Sequence, residues 1–455
     1  MKILLIQPPL NRNLIGSGVM YLSEPLALEV VAASVPEHAV RIIDMRLDPG
    51  LQKCLNEFQP DVVGITALTP DVYLACGILK EVKDFRSDIF TVVGGHHATM
   101  VPQDFNRGFV DAIVTGEGQQ AFVGIVGVLA SGRGREGIKL VRGLLIPENG
   151  KLHATPEREM PSNLDDFPLP ARRLTQEYRQ NYFRASWRPV ASLMTSRGCP
   201  FRCNFCAVWK HEKGRYRVRS AEKILEEIES LQEPYVSICD DNFLQDIVRA
   251  DRLYRLIKEN GIRKKFKIIA RSDVVVKHPG IMEKYREIGT ELVLLGIESF
   301  RDEELKSFNK RNTVENNDLA INILHKNGIT VIAQFIIKPE YTERDFQELG
   351  DYVERMGLKH PIFSVLTPLP GTDLYHQRFN DLLTHNYEYY DFIHCVLPTK
   401  IERKKFYKCL ADLYMRCYTY EDSKGETGSP HPERIVNDKI IRELYSSILD
   451  AYNIS

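Results

Sequence analysis

Short apolar segments alternate with helix-length segments along the chain, and this alternation constrains the fold of these 455 residues more than any other feature. Strands separated by helices form parallel sheets with helices on their faces. The first run of the alternation has the strand-like segments "KILLIQ", "VRIIDM", "DVVGITAL", "FTVVGG" and "DAIVTG". It predicts a doubly wound, Rossmann-like α/β domain whose ligand lies beyond the carboxyl ends of the strands.

A second run of the same alternation begins near residue 190. Its strand-like segments are "PVASLMTSRG", "YVSICDDNF", "KIIARSDVV", "LVLLGIESF", "ITVIAQFII" and "IFSVLTPLPG". Six strand–helix units predict a partial, TIM-like (β/α)₆ barrel with its chemistry at the C-terminal ends of the strands. Between the runs lie a hairpin signal at Asn149-Gly150 and a proline-rich connector, "NLDDFPLPARR". We expect a first domain over 1–135, a linker over 136–189, the barrel over 190–376 and a helical extension over 377–455.

The charge balance and the hydropathy of the chain limit the kinds of partner that it is expected to bind. Lys and Arg number 60 against 61 Asp and Glu, a formal net charge of −1, so no overall field favours nucleic acid or an anionic membrane. No apolar run approaches the roughly 20 residues of a membrane-spanning helix. The start, "MKILLIQPPL", is too short for a signal peptide. We expect a cytoplasmic protein with no transmembrane segment and no nucleic-acid partner.

Three cysteines, Cys199, Cys203 and Cys206, lie within the loop sequence "RGCPFRCNFC". Thiolates suit zinc or iron–sulfur clusters, but a structural zinc site needs a fourth ligand, and His211 and Cys239 lie on other segments. A [4Fe–4S] cluster bound by three thiolates keeps one iron open, which a catalytic site requires. The spacing therefore favours a cluster over zinc or over three unliganded cysteines.

The cysteine spacing, with Phe205 before the last cysteine and a barrel strand before the loop, resembles the signature of the radical S-adenosylmethionine (SAM) superfamily. The resemblance implies that Cys199, Cys203 and Cys206 hold a [4Fe–4S] cluster and that Phe205 lies in the cofactor site. The open iron then chelates SAM, and one electron cleaves SAM to a 5′-deoxyadenosyl radical. It also implies an electron donor such as flavodoxin or ferredoxin.

Polar residues at later strand ends complete the resemblance. It implies that Asp240, Asp241 and Asn242 in "CDDNF" receive the SAM ammonium, that Arg271 pairs with the SAM carboxylate, and that Glu298 lies near the ribose. Other roles stay open at this point. We expect the two aspartates to contact SAM and also to cap the following helix, since adjacent carboxylates at a strand end can do both, and an acid/base pair is the alternative. Arg271 could form a surface ion pair, and Glu298 could be a buried structural residue.

The first domain resembles the cobalamin-binding domains that are fused to radical SAM barrels. Thr66 and Leu68 in "TAL" match a Ser-x-Leu element, Gly94 and Gly95 match a Gly-Gly element, and Glu117 lies in the matching "TGEGQQAF". Small residues at these strand ends let a large ligand's tail approach the backbone. The resemblance implies that these residues bind cobalamin, with a flavodoxin-like nucleotide or receiver domain as the alternative.

One departure concerns the cobalt ligand. The usual Asp-x-His-x-x-Gly motif, whose histidine binds cobalt, is absent, and the first loop reads "QPPLNRNLIGSG" instead. The resemblance therefore implies that cobalamin is held base-off without a protein imidazole. We expect His96 and His97 to be loop residues that contact the ligand's tail or solvent rather than cobalt.

The combined architecture resembles the class B, cobalamin-dependent radical SAM methylases, and "GIESFRDEELKSFNKRNTVENN" and "FIIKPEYTERDF" are similar to the hopanoid C-3 methylase branch. This implies that SAM methylates the cobalamin and also yields the radical, so that an unactivated carbon of a small-molecule or lipid-like substrate takes the methyl group from methylcobalamin. A cobalamin-using radical SAM oxidative cyclase, an iron–sulfur dehydratase and a non-enzymatic sensor are the alternatives. Aromatic residues over 385–395 either line a substrate pocket or pack a helix.

Overall fold

The computed structural model describes residues 1–16, 18, 20–419 and 438–452. The chain divides into two compact units. The first consists of Met1–Leu14 and Glu24–Asn181, and the second of Ile15–Ser23 and Tyr182–Ser455. Among the residues described, no helix is both long and apolar enough to cross a membrane.

Strands and helices are numbered along the chain. The strands are β1 (Lys2–Gln7), β2 (Tyr21–Leu22), β3 (Ala39–Asp44), β4 (Val62–Thr66), β5 (Phe90–Gly94), β6 (Ala112–Val114), β7 (Leu144–Glu148), β8 (Lys151–Ala154), β9 (Phe183–Arg184), β10 (Val190–Leu193), β11 (Ser196–Arg197), β12 (Arg217–Val218), β13 (Tyr235–Ile238), β14 (Lys265–Ala270), β15 (Thr290–Glu298), β16 (Thr330–Ile337) and β17 (His360–Val365). The α-helices are α1 (Leu26–Ala33), α2 (Leu51–Phe58), α3 (Val72–Phe85), α4 (His96–Met100), α5 (Gly118–Ala130), α6 (Gly134–Ile138), α7 (Val208–His211), α8 (Ala221–Ser230), α9 (Ile247–Glu259), α10 (Ser272–Lys277), α11 (Gly280–Glu287), α12 (Asp302–Ser307), α13 (Val314–Lys326), α14 (Glu343–Arg355), α15 (Asp373–Arg378), α16 (Arg403–Thr419) and α17 (Asp438–Asp450). Short 3₁₀ segments lie at Thr69–Asp71, Pro102–Phe105, Arg172–Asn181, Phe243–Gln245, Phe379–Asp381 and Tyr387–Tyr389.

The first unit is built on one sheet with the strand order β3-β1-β4-β5-β6-β7-β8. Strands β3, β1, β4, β5 and β6 are parallel to one another. Their central residues are buried, as expected for strands covered on both faces. The five predicted strands and the α/β class are confirmed.

A hairpin extends this sheet at one edge. β7 pairs antiparallel with β6 and with β8, and the turn between β7 and β8 has Asn149 and Gly150 at φ 51° and 74°. Two consecutive positive φ values match the turn that Asn-Gly favours. The predicted hairpin therefore forms, and it continues the first sheet.

The second unit contains the predicted partial barrel. Its main sheet has the order β10-β13-β14-β15-β16-β17, with every neighbouring pair parallel. Phe266, Ile268 and Ala270 alternate along β14 and join the large core formed with the surrounding helices. All six predicted barrel strands are present, so their C-terminal ends form one edge where loop residues gather.

Segments from both ends of the sequence complete the second unit. β2 pairs antiparallel with β9, and the Ile15 amide donates to Asp391 Oδ2 at 3.0 Å. In the C-terminal extension, α16 packs on α14, where Arg416 Nε lies 2.7 Å from Glu354 Oε1. The parts of the predicted extension at 420–437 and 453–455 lie outside the described residues.

Candidate active site

The loop with the three cysteines follows the first barrel strand, β10, by way of β11. Gly198 opens this loop at φ +87°, and a Cβ at this position would lie 2.1 Å from the Arg215 carbonyl oxygen. The Gly198 amide donates to Asp241 Oδ2 at 3.1 Å, and Trp209 Nε1 donates to the Cys203 carbonyl at 3.0 Å. The loop conformation therefore requires glycine at its first residue and is held at both ends.

The three thiols are partly or fully buried within this loop. Burial raises the pKa of Cys199, Cys203 and Cys206, the last to about 12. Two cations act in the opposite direction, because Arg271 lowers the pKa of Cys199 and Cys203 and Lys310 lowers that of Cys203. Desolvated thiols near buried cations suit an anionic thiolate-bound group.

The donor set fits a cluster better than a single metal ion. In the described part of the chain, no three or more His, Cys, Asp or Glu side chains are arranged to hold one metal ion. Zinc needs four ligands around one centre, whereas thiolates on an iron–sulfur cluster bind different irons. Cys239 is exposed and lies outside the loop. The three thiols therefore suit a [4Fe–4S] cluster that keeps one iron open.

Asp240 follows β13 and anchors the segment that leads into the cysteine loop. Its Oδ1 accepts from the Thr195 amide at 2.6 Å, and its Oδ2 accepts from the hydroxyls of Thr195 and Ser196. Arg249 lies 3.7 Å away, and Asp240 is 1% exposed. This carboxylate is thus fully engaged with the protein and positions the loop.

The next two residues have different surroundings. Asp241 is accessible to solvent at its surface. Desolvation by the surrounding protein nevertheless raises the pKa of its carboxyl to about 6, and the charges of Asp240 and Glu212 add to the shift. Asn242 is buried, and its Oδ1 has no hydrogen-bond partner in the described residues. The prediction that Asp240 and Asp241 also cap the following helix is wrong, because Asp246 caps α9 by accepting from the Arg249 amide.

Arg271 directly follows β14 and is buried. Its guanidinium carbon lies 3.5 Å from the centre of the Phe201 ring, and its Nε and Nη2 donate to Asp273 at 3.0 and 3.2 Å. Nη2 also donates to the carbonyls of Lys310 and Arg311. None of these bonds uses Nη1, which leaves that nitrogen for an anionic group. The alternative of a surface ion pair is wrong because Arg271 is 6% exposed.

Glu298 lies at an irregular point of β15, with φ 63° and a register shift after Gly296. Its Oε1 accepts from Lys310 Nζ at 2.7 Å, and both residues are buried. A Cβ on Gly296 would lie 2.6 Å from Glu298 Oε1 and 2.8 Å from Lys310 Nζ. Sequence reasoning missed Lys310, since a lysine in a loop after a helix gives no signal of burial.

Phe205 contributes packing beside the cysteines. Its ring makes an edge-to-face contact with Phe308, at 5.6 Å between ring centres. Both rings belong to a small apolar cluster with Ile336, Leu366 and Leu374. The cysteine loop is therefore packed against a residue of β16 and against residues that follow β15 and β17.

In the first unit, the predicted residues lie at the C-terminal ends of β4 and β5. Gly95 has φ +100°, and a Cβ there would lie 2.6 Å from Thr66 Oγ1 and 2.9 Å from the Ala67 backbone. The Gly94 carbonyl accepts from the Ala67 amide at 3.0 Å, and Leu68 is 58% exposed. Close backbone approach and an exposed apolar side chain fit a large ligand with an extended tail.

Thr99, which sequence reasoning did not single out, joins the ends of β5 and β6. Its hydroxyl donates to the Gly95 carbonyl and accepts from the Gly116 amide, both at 2.9 Å. Glu117 follows and is buried at the N-terminus of α5. The three strand ends that carry the predicted residues are therefore tied together.

The two histidines after the glycines are not loop residues. They begin α4, and His97 is fully buried. Its Nδ1 lies 3.2 Å from Thr69 Oγ1, and its Nε2 lies 2.8 Å from Asp104 Oδ2. The prediction of a loop position is therefore wrong for both, and the prediction of tail or solvent contact is wrong for His97. His96 is half-buried at the start of the helix.

Comparison with protein-family models gives two matches. The model of the radical SAM superfamily matches residues 193–353, and the model of the B12 binding domain matches residues 13–126. The cysteine loop and the strand ends at 240–242, 271 and 298 lie in the first match, and Thr66 to Glu117 lie in the second.

Curated relatives match nearly the whole chain. Hopanoid C-3 methylase of Methylococcus capsulatus is 31% identical over 422 residues, which cover 90% of this chain and 78% of the relative. Anaerobic magnesium-protoporphyrin IX monomethyl ester cyclase of Rubrivivax gelatinosus is 28% identical over 383 residues, covering 80% and 67%. A solved cobalamin-dependent S-adenosylmethionine radical enzyme, OxsB with aqua-cobalamin and S-adenosylmethionine bound, has a TM-score of 0.73 at 16% identity, covering 98% of this chain and 70% of that one. This likeness shows that the fold is shared.

Proposed function

Because the chain belongs to the class B, cobalamin-dependent radical SAM enzymes, we propose that it transfers a methyl group to an unactivated carbon of a small-molecule or lipid-like substrate. The single observation that carries the proposal is the three-cysteine loop at the C-terminal end of the first barrel strand, with no fourth ligand in the loop. The protein belongs to a family of enzymes, so the alternative of a non-enzymatic sensor is not supported.

The predicted cofactors, a [4Fe–4S] cluster, SAM and cobalamin, agree with the two matched families. When bound, they supply radical formation and methyl donation, which no acid or base on the chain can perform at a carbon without a leaving group. The chain's own residues then bind, orient and shield these groups.

For the barrel, we assign Cys199, Cys203 and Cys206 to the cluster. Asp240 supports the cysteine loop indirectly, because its carboxylate holds Thr195 and Ser196 in place just before the loop. The accessible carboxylate of Asp241 is the more suitable acceptor for the SAM ammonium, with the unpartnered Oδ1 of buried Asn242 beside it.

Two further barrel residues and Phe205 complete the proposed SAM site. Arg271 offers Nη1 to the SAM carboxylate while Asp273 and Phe201 hold its guanidinium in place. Glu298 takes the ribose position and is held there by Lys310. Phe205 keeps the last cysteine turn packed against Phe308.

For the first unit, we assign the tail of base-off cobalamin to the ends of β4, β5 and β6, with the contacts made by Thr66, Leu68, Gly94, Gly95, His96 and Glu117. The proposed functional boundaries are 1–135 for cobalamin, 136–189 for the linker, 190–376 for the barrel and 377–455 for the extension. The hairpin β7–β8 of the linker continues the first sheet.

The substrate proposal draws on two observations. A relative's name states that it methylates a hopanoid. Within 385–395, Tyr390 and Cys395 are buried in packing, whereas Phe392 is 45% exposed and has a backbone φ of 69°. The Phe392 carbonyl accepts from the Val365 amide, at the end of the last barrel strand. An exposed aromatic ring there supports an apolar substrate. We also propose a flavodoxin or ferredoxin as electron donor and the cytoplasm as location.

Anaerobic incubation of the reconstituted protein with SAM, cobalamin and a reductant tests the proposal. A methyltransferase yields both 5′-deoxyadenosine and S-adenosylhomocysteine. We expect Cys203→Ala to abolish 5′-deoxyadenosine, while Cys409→Ala, on α16 and outside the loop, keeps it. Deoxyadenosine from the Cys203→Ala variant would overturn the cluster assignment.

The cyclase relative supports a second candidate, a cobalamin-using radical SAM oxidative cyclase that forms a ring without methyl transfer. In the same incubation, a cyclase yields 5′-deoxyadenosine without S-adenosylhomocysteine. The ratio of the two products therefore separates the candidates.

A further inference from the structure

One lysine lies on the inner face of the partial barrel. Phe266 and Ile268 of β14 belong to the core that the strands form with the outer helices, so Lys267, between them, points to the opposite, inner face. The inner faces of the other five strands carry an apolar cluster, the floor cluster, which consists of Trp187, Val190, Leu292 and Ile332 with Tyr235, Leu294 and Ile362 around them. Lys267 pairs in register with Leu292 of the floor cluster and is 1% exposed.

The residues level with Lys267 on the two preceding barrel strands are small and polar. The register pairs Lys267 with Ser237 of β13, and Ser237 with Ser192 of β10. Both serines alternate with residues of the outer core and therefore also face inward. Their hydroxyl side chains fill less of the interior than the residues of the floor cluster do. On this side of the barrel, the inner face thus changes from apolar to polar at Lys267.

The ammonium of Lys267 has no counter-ion in the described part of the chain. Its Nζ makes no hydrogen bond and no ion pair with any residue that the structure describes. Lys310, which is also buried, differs in this respect, because its Nζ lies 2.7 Å from Glu298 Oε1. The carboxylate of Asp240, at the end of the neighbouring strand, is occupied by the hydrogen bonds that hold the cysteine loop.

A second cation, Arg184 of β9, acts on Lys267 from the floor cluster. Arg184 forms an isolated bridge with Trp187, which stacks on Tyr235 at the start of β13. Its guanidinium lies 5.4 Å from the centre of the Tyr21 ring, and no carboxylate among the described residues pairs with it. Burial first, and then repulsion from Arg184, lowers the pKa of the Lys267 ammonium to about 7. Two cations are therefore close enough to repel each other, and neither has an anionic partner among the residues described.

This arrangement weakens the fold, because a desolvated ammonium loses its hydration without gaining a counter-ion. An apolar side chain of similar length at position 267 would continue the floor cluster without that loss. Residues that destabilise a fold in this way are characteristic of binding sites, where a ligand supplies the missing partner. Lys267 is also distinct from the position proposed for the SAM carboxylate at Arg271, since four residues of extended chain, roughly 13 Å, separate the two.

We propose that Lys267 and Arg184 bind an oxyanionic group of the substrate, a carboxylate or a phosphate, inside the barrel. The assignment of this anion to the substrate rests on the proposed function, and it restricts the small-molecule or lipid-like substrate to one that carries such a group. The Ser237 hydroxyl, on the neighbouring strand, is placed to donate to the same oxyanion. The substrate enters the barrel with its anionic group foremost, and the apolar contact proposed at Phe392 belongs to the remainder of the molecule.

Heat unfolding of the full-length, reconstituted chain tests the site, with inorganic phosphate and acetate as separate probes against chloride at equal ionic strength. Both tryptophans, Trp187 and Trp209, belong to the second unit, so their fluorescence follows the unfolding of that unit. At least one probe should raise the wild-type midpoint, and the shift should grow with the logarithm of its concentration. The probe that gives the larger shift distinguishes a phosphate from a carboxylate.

Lys267→Met should abolish this shift. Without an anion, it should also raise the unfolding midpoint above that of wild type, because the uncompensated ammonium is gone. Arg184→Gln should reduce the shift. Lys277→Met is the matched control, because Lys277 is exposed on α10, and it should keep the wild-type shift.

An undiminished shift in Lys267→Met or in Arg184→Gln would overturn the inference, and so would the absence of a wild-type shift with both probes. A Lys267→Met variant that is less stable than wild type, or that does not fold, would also overturn it, because the lysine would then be structural. Failure of the wild-type chain to form 5′-deoxyadenosine would instead overturn the proposed function, and the anion shift is measured independently of that product.

Discussion

The C-terminal strand ends of the two units are held together by different kinds of interaction. In the first unit, the ends of β4, β5 and β6 are joined by backbone hydrogen bonds and by the hydroxyl of Thr99. In the second unit, buried or partly buried charged pairs lie at the equivalent place on the barrel: Asp240 with Arg249, Arg271 with Asp273, and Glu298 with Lys310.

This difference shows how each edge matches its proposed ligand. A thiolate-bound cluster and zwitterionic SAM carry localised charge, which buried cations and carboxylates orient at low effective dielectric. A large cofactor tail makes many weak contacts and gains most from close backbone approach, for which glycine is suited. Three substitutions test this contrast, taken from the largest expected effect to the smallest, and a fourth tests a buried carboxyl group of the first unit.

Gly198→Ala should have the largest effect. Its Cβ would lie 2.1 Å from a backbone oxygen at positive φ, so we expect a local cost of about 3 kcal/mol or more and loss of iron binding after reconstitution. Gly214→Ala is the control, because Gly214 also has positive φ but no atom within 4 Å of its Cβ position. It should cost about 1 kcal/mol and retain iron. Equal iron content in both variants would contradict the account.

Asp240→Asn should destabilise the second unit by roughly 2–4 kcal/mol, because it breaks a buried ion pair and disturbs three hydrogen bonds. Denaturant unfolding followed by tryptophan fluorescence measures this, since Trp209 bonds to the cysteine loop. Asp241→Asn should cost less than about 1 kcal/mol and instead weaken SAM binding. A reversed order of stability would show that the two aspartates have been assigned the wrong roles.

Gly95→Ala tests the first unit. The added Cβ would clash with Thr66 Oγ1 and the Ala67 backbone, so we expect a cost of roughly 1–3 kcal/mol and less cobalamin retained on gel filtration. Gly108→Ala has no atom within 4 Å and should retain cobalamin as wild type does. Undiminished retention by the Gly95→Ala variant would argue against cobalamin at these strand ends.

Glu29→Gln should have an effect that depends on pH. Burial, then Glu24, raises the pKa of Glu29 in α1 from 4.5 to about 8. A carboxyl with a raised folded-state pKa stabilises the fold below pH 4.5, and this stability is lost as pH rises towards 8. Wild-type protection from hydrogen exchange in α1 should fall between pH 6 and 8, by at most about 1.4 kcal/mol per pH unit after correction for intrinsic exchange. Glu29→Gln should flatten this slope, whereas Glu57→Gln, at an exposed site on α2, should not.

The strands of the two main sheets and the cysteine loop could be predicted because each leaves a local signal. Apolar runs mark β1 and β14, Asn-Gly marks the turn at 149–150, and three cysteines stand within eight residues. Lys310 and Thr99 left no such signal, since their roles depend on partners that folding brings near. The pairing of β2 with β9 is likewise set by residues about 160 positions apart. His97 looked like a loop ligand because its partner Asp104 becomes a neighbour only once α4 forms.

The central claim is that the three-cysteine loop holds a cluster to which SAM binds directly. Electron paramagnetic resonance of the reduced, reconstituted protein tests it most directly, recorded with and without SAM. The account predicts a [4Fe–4S]⁺ signal whose g values change when SAM is added. A signal that SAM leaves unchanged, or one that persists at full intensity in the Cys203→Ala variant, would contradict it.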